Sequence, residues 1–187
     1  MEIKQRNPII YLVSGKAKHG KDTFSAYLKE TYENKGKKVI ITQLAKYIKY
    51  YAREMTGWDL SEETKPREFL QQLGTNVIRQ ELKKNYLFIN RMIEDIEIFS
   101  YFFDVIIISD VRLKKEIIDI KKVHPEAVAI KMNRIDFDNG LTDEQKKHPT
   151  EIDLDDFNEF DEEIVNTTLE LLKKSAEDLY TKMEKGV

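Results

Sequence analysis

The sequence predicts an α/β fold with a mainly parallel sheet of about five strands, and two patterns support this fold class. Short β-rich runs alternate with longer amphipathic stretches along the chain, at the spacing of successive strand–helix units. The run 104–109, DVIIIS, contains four consecutive β-branched residues and is apolar on both faces. Such a run suits the centre of a parallel sheet, because helices cover both faces of that kind of sheet.

Glycine, proline and hydrophobic periodicity place the elements of the first half of the chain. The apolar run 9–13 ends at Ser14-Gly15 and predicts a buried strand, whereas apolar residues at helical spacing predict amphipathic helices. Gly36 and Gly57 end helices, and Pro66 marks the start of another. The predicted elements are a strand at 9–13, a helix at 21–32, a strand at 38–42, a helix at 45–55 and a helix at 66–82.

The same patterns continue after residue 90 with one interruption. The interval 136–160 is polar and acidic and has little periodicity, so we predict a mobile loop there. The remaining predicted elements are a helix at 90–101, the strand at 104–109, a helix from about 113, a strand at 127–131 and a strand–helix pair after 162.

Composition favours a globular protein and excludes several classes of function. With 187 residues, 41% of them hydrophobic and 35% charged, the chain suits a single domain over 1–187. A formal net charge of −3 argues against nucleic-acid binding by bulk electrostatic attraction. The absence of cysteine excludes disulfides, thiolate zinc sites and cysteine nucleophiles. No apolar run approaches the length of a membrane span, so we expect a cytoplasmic protein with no membrane partner.

The segment 15–21, GKAKHGK, fits the phosphate-loop pattern G-x-x-x-x-G-K, between an apolar strand and an amphipathic helix. Gly15 and Gly20 permit backbone torsions that aim successive N–H groups inward, and the following helix adds its positive dipole end. Lys21 would contact the β- and γ-phosphates of a nucleotide. A plain glycine turn between a strand and a helix is the other interpretation, and the flanking elements favour the phosphate loop. The remaining cationic residues of the loop, which would face phosphate or solvent, are Lys16, Lys18 and His19.

The loop departs from the usual pattern at the residue after its lysine. That position normally holds Ser or Thr, whose hydroxyl binds Mg²⁺. This chain has Asp22 followed by Thr23. Either the carboxylate of Asp22 or the hydroxyl of Thr23 could organise a magnesium ion, and the sequence leaves both open.

A polar stripe is predicted on the helix after Pro66. Arg67, Gln71, Thr75 and Arg79 recur every four residues, which places them on one face of an α-helix. Gly74 lies beside this stripe, and glycine inside a helix suggests a close approach by a ligand or by a neighbouring element. A solvated face is the other interpretation, since most surface arginines bind nothing.

Charged residues also follow two of the predicted strands. Asp110 and Arg112 come just after the run 104–109, and Arg134 comes just after the run 127–131. Carboxyl ends of parallel strands share one edge of the sheet, where ligands bind, so these residues would meet the phosphate loop. Asp110 could orient an acceptor or a magnesium-bound water, and Arg112 could pair with phosphate. With Arg67 and Arg79, four arginines and a loop lysine suit a site for two phosphorylated molecules.

With these residues assembled, the sequence resembles the phage-type deoxynucleoside monophosphate kinases, within the nucleoside monophosphate kinase group of P-loop proteins. Animal-type phosphomevalonate kinases share several of the same motifs. The segments that carry the resemblance are Gly-Lys-Asp-Thr at 20–23, the stretch 44–49 with Gly57-Trp58-Asp59, REFLQQLGTNVIR at 67–79, Ser-Asp-Val-Arg at 109–112, His-Pro-Thr-Glu at 148–151 and Asn166.

The resemblance implies a three-layer α/β/α P-loop kinase fold with a substrate-binding helical insert at about 44–101 and a mobile lid at about 136–160. The loop 15–23 would bind the phosphates of ATP, Asn166 would lie near the adenine, and Lys21, Arg134 and Asp110 would be catalytic. In the lid, Lys146, Lys147 and His148 would close over the transferring phosphoryl group. The residues implied for the acceptor site are Lys49, Arg67, Gln71, Gly74, Thr75, Arg79, Asp110 and Arg112.

The function expected from this reading is ATP- and Mg²⁺-dependent phosphoryl transfer to a nucleoside or deoxynucleoside monophosphate, which yields the diphosphate. Two alternatives stay open. One is a kinase of a small phosphorylated metabolite such as phosphomevalonate, and the other is a non-catalytic, nucleotide-binding regulatory module. The expected partners are small-molecule nucleotides and no nucleic acid, and the sequence leaves a homodimer open.

Overall fold

The computed structural model describes residues 3–135 and 137–185. Asp136, the first residue of the predicted lid, therefore lies outside the described residues. The chain forms two compact units, one made of Met1–Gln43 with Asp95–Val187 and the other of Leu44–Glu94. No helix in the described part of the chain is long and apolar enough to cross a membrane.

A five-stranded sheet organises the first unit, with strand order β2-β3-β1-β4-β5 and parallel pairing throughout. The predicted α/β class with a parallel sheet is confirmed. The register pairs Ser14 with Val111 on one side and with Lys131 on the other, so the carboxyl ends of β1, β3 and β4 lie at one edge. The strands are β1 Ile9–Ser14, β2 Val39–Thr42, β3 Val105–Val111, β4 Val128–Asn133 and β5 Glu162–Val165.

Helices connect these strands along the chain. The described helices are α1 Lys21–Glu33, α2 Lys46–Thr56, α3 Arg67–Gln71, a π-helix at Gln72–Glu81, α4 Leu87–Phe99, α5 Lys114–Val123, α6 Asp143–Lys146, α7 Pro149–Ile152 and α8 Leu169–Glu184.

The hydrophobic core of the first unit lies on both faces of the sheet. On one face, Tyr11 and Phe24 pack with Leu172, which joins β1, α1 and α8 in a single cluster. Alternate strand side chains point to the other face, where Ile106 and Ile108 are fully buried. Full burial of each such side chain stabilises the fold by roughly 1.5–3 kcal/mol.

The second unit has its own small core. Leu73, Ile78 and Phe88 are buried together, and Tyr47 and Ile48 pack against them. The stretch 66–82 was expected to be one α-helix, but the helix changes to π geometry at Gln72, where N–H groups bond five residues back. Leu82 N–H, for example, donates to Val77 O at 2.9 Å. Gly74 weakens the α-helical preference of this stretch.

Two other elements differ from the predicted boundaries. The helix expected at 90–101 runs over Leu87–Phe99, and it ends where Phe102 and Phe103 N–H both turn back to Phe99 O. The interval 136–160 was expected to be a loop, yet it contains α6 and α7. Local capping explains both short helices, because Thr142 and His148 accept backbone N–H groups of the turns that follow them.

Candidate nucleotide phosphate site

The predicted phosphate loop connects β1 to α1 at the carboxyl edge of the sheet. Gly15, Lys18 and Gly20 have positive φ values of 141°, 60° and 93°, so the chain turns sharply between the strand and the helix. α1 begins at Lys21, and Phe24 N–H donates the first helical bond to Gly20 O at 2.9 Å. Because Gly20 has no side-chain cap, the free N–H groups of this helix end can bind an anion.

Both glycine positions of the loop exclude larger residues, because neighbouring atoms lie close to them and because their φ values are positive. A Cβ on Gly15 would lie 2.6 Å from Met132 O, a backbone atom of β4. A Cβ on Gly20 would collide with the side-chain amide of Asn166. Asn166 is buried after β5, and its Nδ2 donates to His19 O at 3.1 Å. The loop is therefore packed against the ends of β4 and β5, with no room for larger residues at either glycine.

Lys21 is buried beneath the loop. Its Nζ donates to Gly15 O and to Lys16 O, both at 2.9 Å. The pKa of Lys21 is lowered to about 7, chiefly because burial strips the ammonium of most of its hydration and secondly because the Arg112 guanidinium lies nearby. An anionic phosphate at this loop would raise the pKa again and restore the charge.

Acidic and basic residues from different elements converge on this lysine. Arg112 opposes the charged form of Lys21. Asp22, Glu151 and Asp110 favour it. The structure thus brings the loop lysine together with Asp110 and Arg112 at the carboxyl end of β3, the edge at which the sequence predicts that they meet.

Asp22 occupies the exposed first turn of α1. Ser109 Oγ donates to Asp22 Oδ1 at 3.1 Å, and Gln43 Nε2 donates to Ser109 Oγ at 3.3 Å. The carboxylate of Asp22 and the hydroxyl of Thr23 line the same cleft as Lys21. Carboxylate and hydroxyl oxygens of this kind are donors that would suit Mg²⁺.

His19 lies on the side of the loop that contacts β4. Its Nδ1 lies 3.3 Å from Met132 O, within hydrogen-bond reach. Burial lowers the pKa of His19, because the imidazolium loses hydration, and a backbone hydrogen bond with Met132 opposes that shift only in part. A neutral His19 near pH 7 fits a structural role in holding the loop against β4.

A cleft of about 300 Å³, open to solvent, adjoins the start of α1. Arg134 reaches Lys18 O at 3.5 Å, and its guanidinium lies 3.7 Å from the Phe137 ring centroid. This volume is within the range of small-molecule sites. The cleft is lined by Lys18, Gly20, Lys21, Asp22, Thr23, Arg134, Asn166, Thr167 and Leu169.

The predicted lid presents acidic residues to the loop. Lys146 and Lys147 are exposed, with Lys146 3.5 Å from Asp138, and His148 caps α7. By contrast, Glu151 accepts Ala17 N–H at 2.9 Å, and Asp155 pairs with Lys16. Sequence reasoning did not select Glu151, Asp155 or Ser109 as site residues, although Glu151 ends the quoted His-Pro-Thr-Glu segment.

In the second unit, two of the predicted acceptor residues share a partner. Arg67 Nη2 pairs with Glu62 Oε2 at 2.9 Å. The pKa of Glu62 is lowered chiefly by a hydrogen bond from Lys65, and Arg67 and Lys49 lower it further by charge. The structure therefore groups Lys49, Lys65 and Arg67 around one exposed carboxylate, as cations would be grouped around a bound phosphate.

The other predicted acceptor residues lie on the π-helix or next to it. Arg79 Nη1 donates to Gly74 O at 3.3 Å, and its guanidinium stacks 5.5 Å from the Phe88 ring centroid. A Cβ on Gly74 would lie 2.6 Å from Ile48 Cδ1, so a side chain of α2 is the close neighbour of this glycine. Gln71 is exposed and Thr75 is half-buried.

Comparison with known proteins identifies the fold. No protein-family model matches the chain, and no curated protein matches it. Solved structures do match, among them a cysteine-to-alanine mutant of the Mycobacterium tuberculosis APS kinase CysC, with a TM-score of 0.55 and 9% identity. A second structure of that kinase, in complex with AMPPNP and APS, gives a TM-score of 0.56 and 9% identity. Each match covers 96% of this chain and 99% of the other. The chain has the α/β fold of these two kinase structures.

Proposed function

We propose that this protein transfers the γ-phosphoryl group of ATP to a nucleoside or deoxynucleoside monophosphate, which yields two diphosphates. The observation that carries the proposal is the convergence of Lys21 and Asp22 with Asp110 and Arg112 at one edge of the sheet. A nucleotide-binding switch needs only the loop and its metal. A guanidinium facing the loop from another strand suits a second phosphorylated molecule.

On the donor side, the loop N–H groups and Lys21 would bind the β- and γ-phosphates. Asp22 or Thr23 would hold Mg²⁺, which neutralises phosphate charge when bound. The P-loop kinase of the same fold was solved with AMPPNP, and this supports ATP as the donor here. The adjoining cleft, with Asn166, Thr167 and Leu169, is the place we assign to the nucleoside of ATP.

On the acceptor side, we assign Arg112 to the acceptor phosphate and Asp110 to its orientation. In the second unit, the resemblance implies acceptor-binding roles for Lys49, Arg67, Gln71, Gly74, Thr75 and Arg79. An acceptor phosphate oxygen attacks the γ-phosphorus, and the bond from that phosphorus to the β-bridging oxygen breaks. No general base is required, because the attacking oxygen of a monophosphate is already anionic near neutral pH.

A kinase of a small phosphorylated metabolite is the second candidate. Two points support it. One of the matching structures is of a kinase solved with APS. The Gly-Lys-Asp and Asp-Val-Arg segments also resemble those of phosphomevalonate kinases. Both candidates use the same donor chemistry. They differ only in what the acceptor residues bind.

An acceptor panel tests the proposal. ATP and Mg²⁺ would be supplied with dTMP, dGMP, dCMP, AMP, phosphomevalonate or no acceptor, and ADP release measured. We expect at least one nucleoside monophosphate to stimulate ADP release, and Lys21→Ala to lower that rate by about a hundredfold or more. Stimulation by phosphomevalonate alone would favour the second candidate. Slow hydrolysis of ATP at a rate that no acceptor changes would favour a regulatory module.

A further inference from the structure

Glu151 places a largely buried carboxylate between the phosphate loop and the end of β3. Its Oε2 accepts Ala17 N–H at 2.9 Å, and its Oε1 accepts Arg112 Nη1 at 2.8 Å. Only 10% of the Glu151 side chain is exposed, compared with 24% for Arg112. The carboxylate therefore joins two segments, the β1–α1 loop and the Asp-Val-Arg segment, that are far apart along the chain.

The chemistry of this contact requires a carboxylate. Both partners are donors, a backbone N–H and a guanidinium N–H, and an ionised carboxylate accepts from both. A glutamine side chain has one oxygen and one NH₂ group. Its NH₂ group, itself a donor, would therefore face either Ala17 N–H or the Arg112 guanidinium, and one hydrogen bond would be lost. Charge-assisted bonds to a largely buried carboxylate are also stronger than neutral ones.

The element that carries Glu151 is fixed in turn. Lys114 N–H, at the start of α5, donates to Asp153 Oδ2 at 2.7 Å. Lys16 pairs with Asp155 at 2.8 Å, and His148 accepts Thr150 N–H at the start of α7. These contacts place the Glu151 carboxylate with little freedom, which a positioning role demands.

We propose that Glu151 is a positioning residue that holds the Arg112 guanidinium against the phosphate loop, ready for the acceptor phosphate. The inference rests on the function proposed above. Glu151 occupies one of the five N–H donors of Arg112, and the fork geometry leaves others for a phosphate. An Arg112 without this partner would sample several rotamers, and each acceptor molecule would have to order it on binding.

The kinetic test compares Glu151→Gln with Glu144→Gln, an exposed glutamate of α6 in the same segment. For Glu151→Gln we expect the KM of the acceptor to rise about tenfold or more, and by a larger factor than the KM of ATP, because the amide oxygen of glutamine can still accept Ala17 N–H. The control should match the wild type. Glu151→Asp keeps the charge, and its acceptor KM should lie between those of wild type and Glu151→Gln.

A second measurement does not depend on catalysis. The Arg112 Nε–Hε signal is assigned by its disappearance from the spectrum of Arg112→Lys. In wild-type protein its heteronuclear NOE should have the value typical of a rigid group, and in Glu151→Gln the NOE should fall to the value of a mobile one. An equally rigid Arg112 in Glu151→Gln would overturn the inference. So would tighter binding of AMPPNP by Glu151→Gln with undiminished turnover, because the carboxylate would then compete with phosphate. If wild type transfers to no acceptor, the proposed function fails, while the NOE still decides whether Glu151 orders Arg112.

Discussion

Ser109 Oγ donates a hydrogen bond to Asp22 Oδ1 at 3.1 Å and so joins the carboxyl end of β3 to the first turn of α1. Ser109 is completely buried, and Gln43 after β2 donates to its oxygen at 3.3 Å. Two neighbouring strands thereby support the carboxylate that follows the loop lysine. The contact that orients Asp22 therefore comes from a strand of the sheet, and not from a capping interaction within its own helix.

The first prediction concerns this support. Ser109→Ala should weaken Mn²⁺ binding to the protein–ADP complex by about threefold to tenfold, because Asp22 loses a donor that fixes its rotamer. Paramagnetic relaxation of water protons measures this affinity without turnover. Ser100→Ala is the matched control, since Ser100 is also buried but donates to Glu97 O, a carbonyl of its own helix turn. Equal Mn²⁺ affinities in both variants and in wild type would contradict the role assigned to Ser109.

The second prediction follows from the pKa of Lys21, which burial lowers to about 7. At pH 8 most of the free protein carries a neutral Lys21, and bound phosphate restores the ammonium. ADP binding should therefore take up about one proton at pH 8 and almost none at pH 6. Calorimetry in buffers of different ionisation enthalpy counts these protons. Lys21→Arg should abolish the difference between the two pH values, because arginine stays charged at both.

The same pKa gives a third prediction, on stability. Between pH 7 and the ordinary lysine pKa of 10.5, the unfolded chain keeps a proton on residue 21 that the folded protein has released. The contribution of Lys21 to the free energy of unfolding is thus least favourable below pH 7 and improves as the pH rises. Lys21→Met should accordingly stabilise the nucleotide-free protein most at pH 6. Urea unfolding at pH 6 and pH 9 checks this, and a gain of equal size at both pH values would argue against a buried, shifted lysine.

The fourth prediction separates torsional strain from collision in the phosphate loop. Gly36→Ala places a Cβ in open space at φ 77°, so it should cost only about 1–2 kcal/mol in the free energy of unfolding. Gly15→Ala meets Met132 O at 2.6 Å in addition, at φ 141°. It should cost at least about 2 kcal/mol more than Gly36→Ala, because a backbone oxygen of β4 cannot move aside cheaply. Chemical denaturation compares the two, and equal losses would show that the loop is not packed as described.

Sequence patterns predicted the parts of the molecule that depend on local periodicity. Strand β3 was predicted from its run of β-branched residues, and α1 from its apolar face and the glycines before it. The edge at which Lys21 meets Arg112 followed from one rule, that parallel strands share a carboxyl end. Each of these inferences needs only neighbouring residues and the parallel direction of the strands.

Other features were out of reach because they depend on contacts between distant segments. Glu151 lies 134 residues from Ala17, and Asp22 lies 87 from Ser109, so no periodicity connects either pair. The change to π geometry at Gln72 was also missed, because residue spacing does not distinguish five-residue from four-residue hydrogen bonding. The roles of the predicted site residues, and the mobility of the segment 137–160, stay predictions.

The fifth prediction tests the packing of Gly74 in the second unit. Alanine is favoured over glycine in a helix by about 1 kcal/mol, but its Cβ would press on Ile48 Cδ1. Ile48→Val removes that carbon. The change in the free energy of unfolding caused by Gly74→Ala should therefore be about 0.5–1 kcal/mol more favourable in the Ile48→Val background than in wild type. Strict additivity of the two substitutions would indicate that Ile48 does not crowd Gly74.

The most direct test of the central claim follows the phosphorus atom itself. ATP labelled in the γ-phosphoryl group would be incubated with Mg²⁺, the protein and an excess of the nucleoside monophosphate that most stimulates ADP release. Our account predicts that the label appears in the corresponding nucleoside diphosphate, in equal amount to the ADP formed, and that Lys21→Ala abolishes this transfer. Label recovered as inorganic phosphate, with every monophosphate left unphosphorylated, would contradict it.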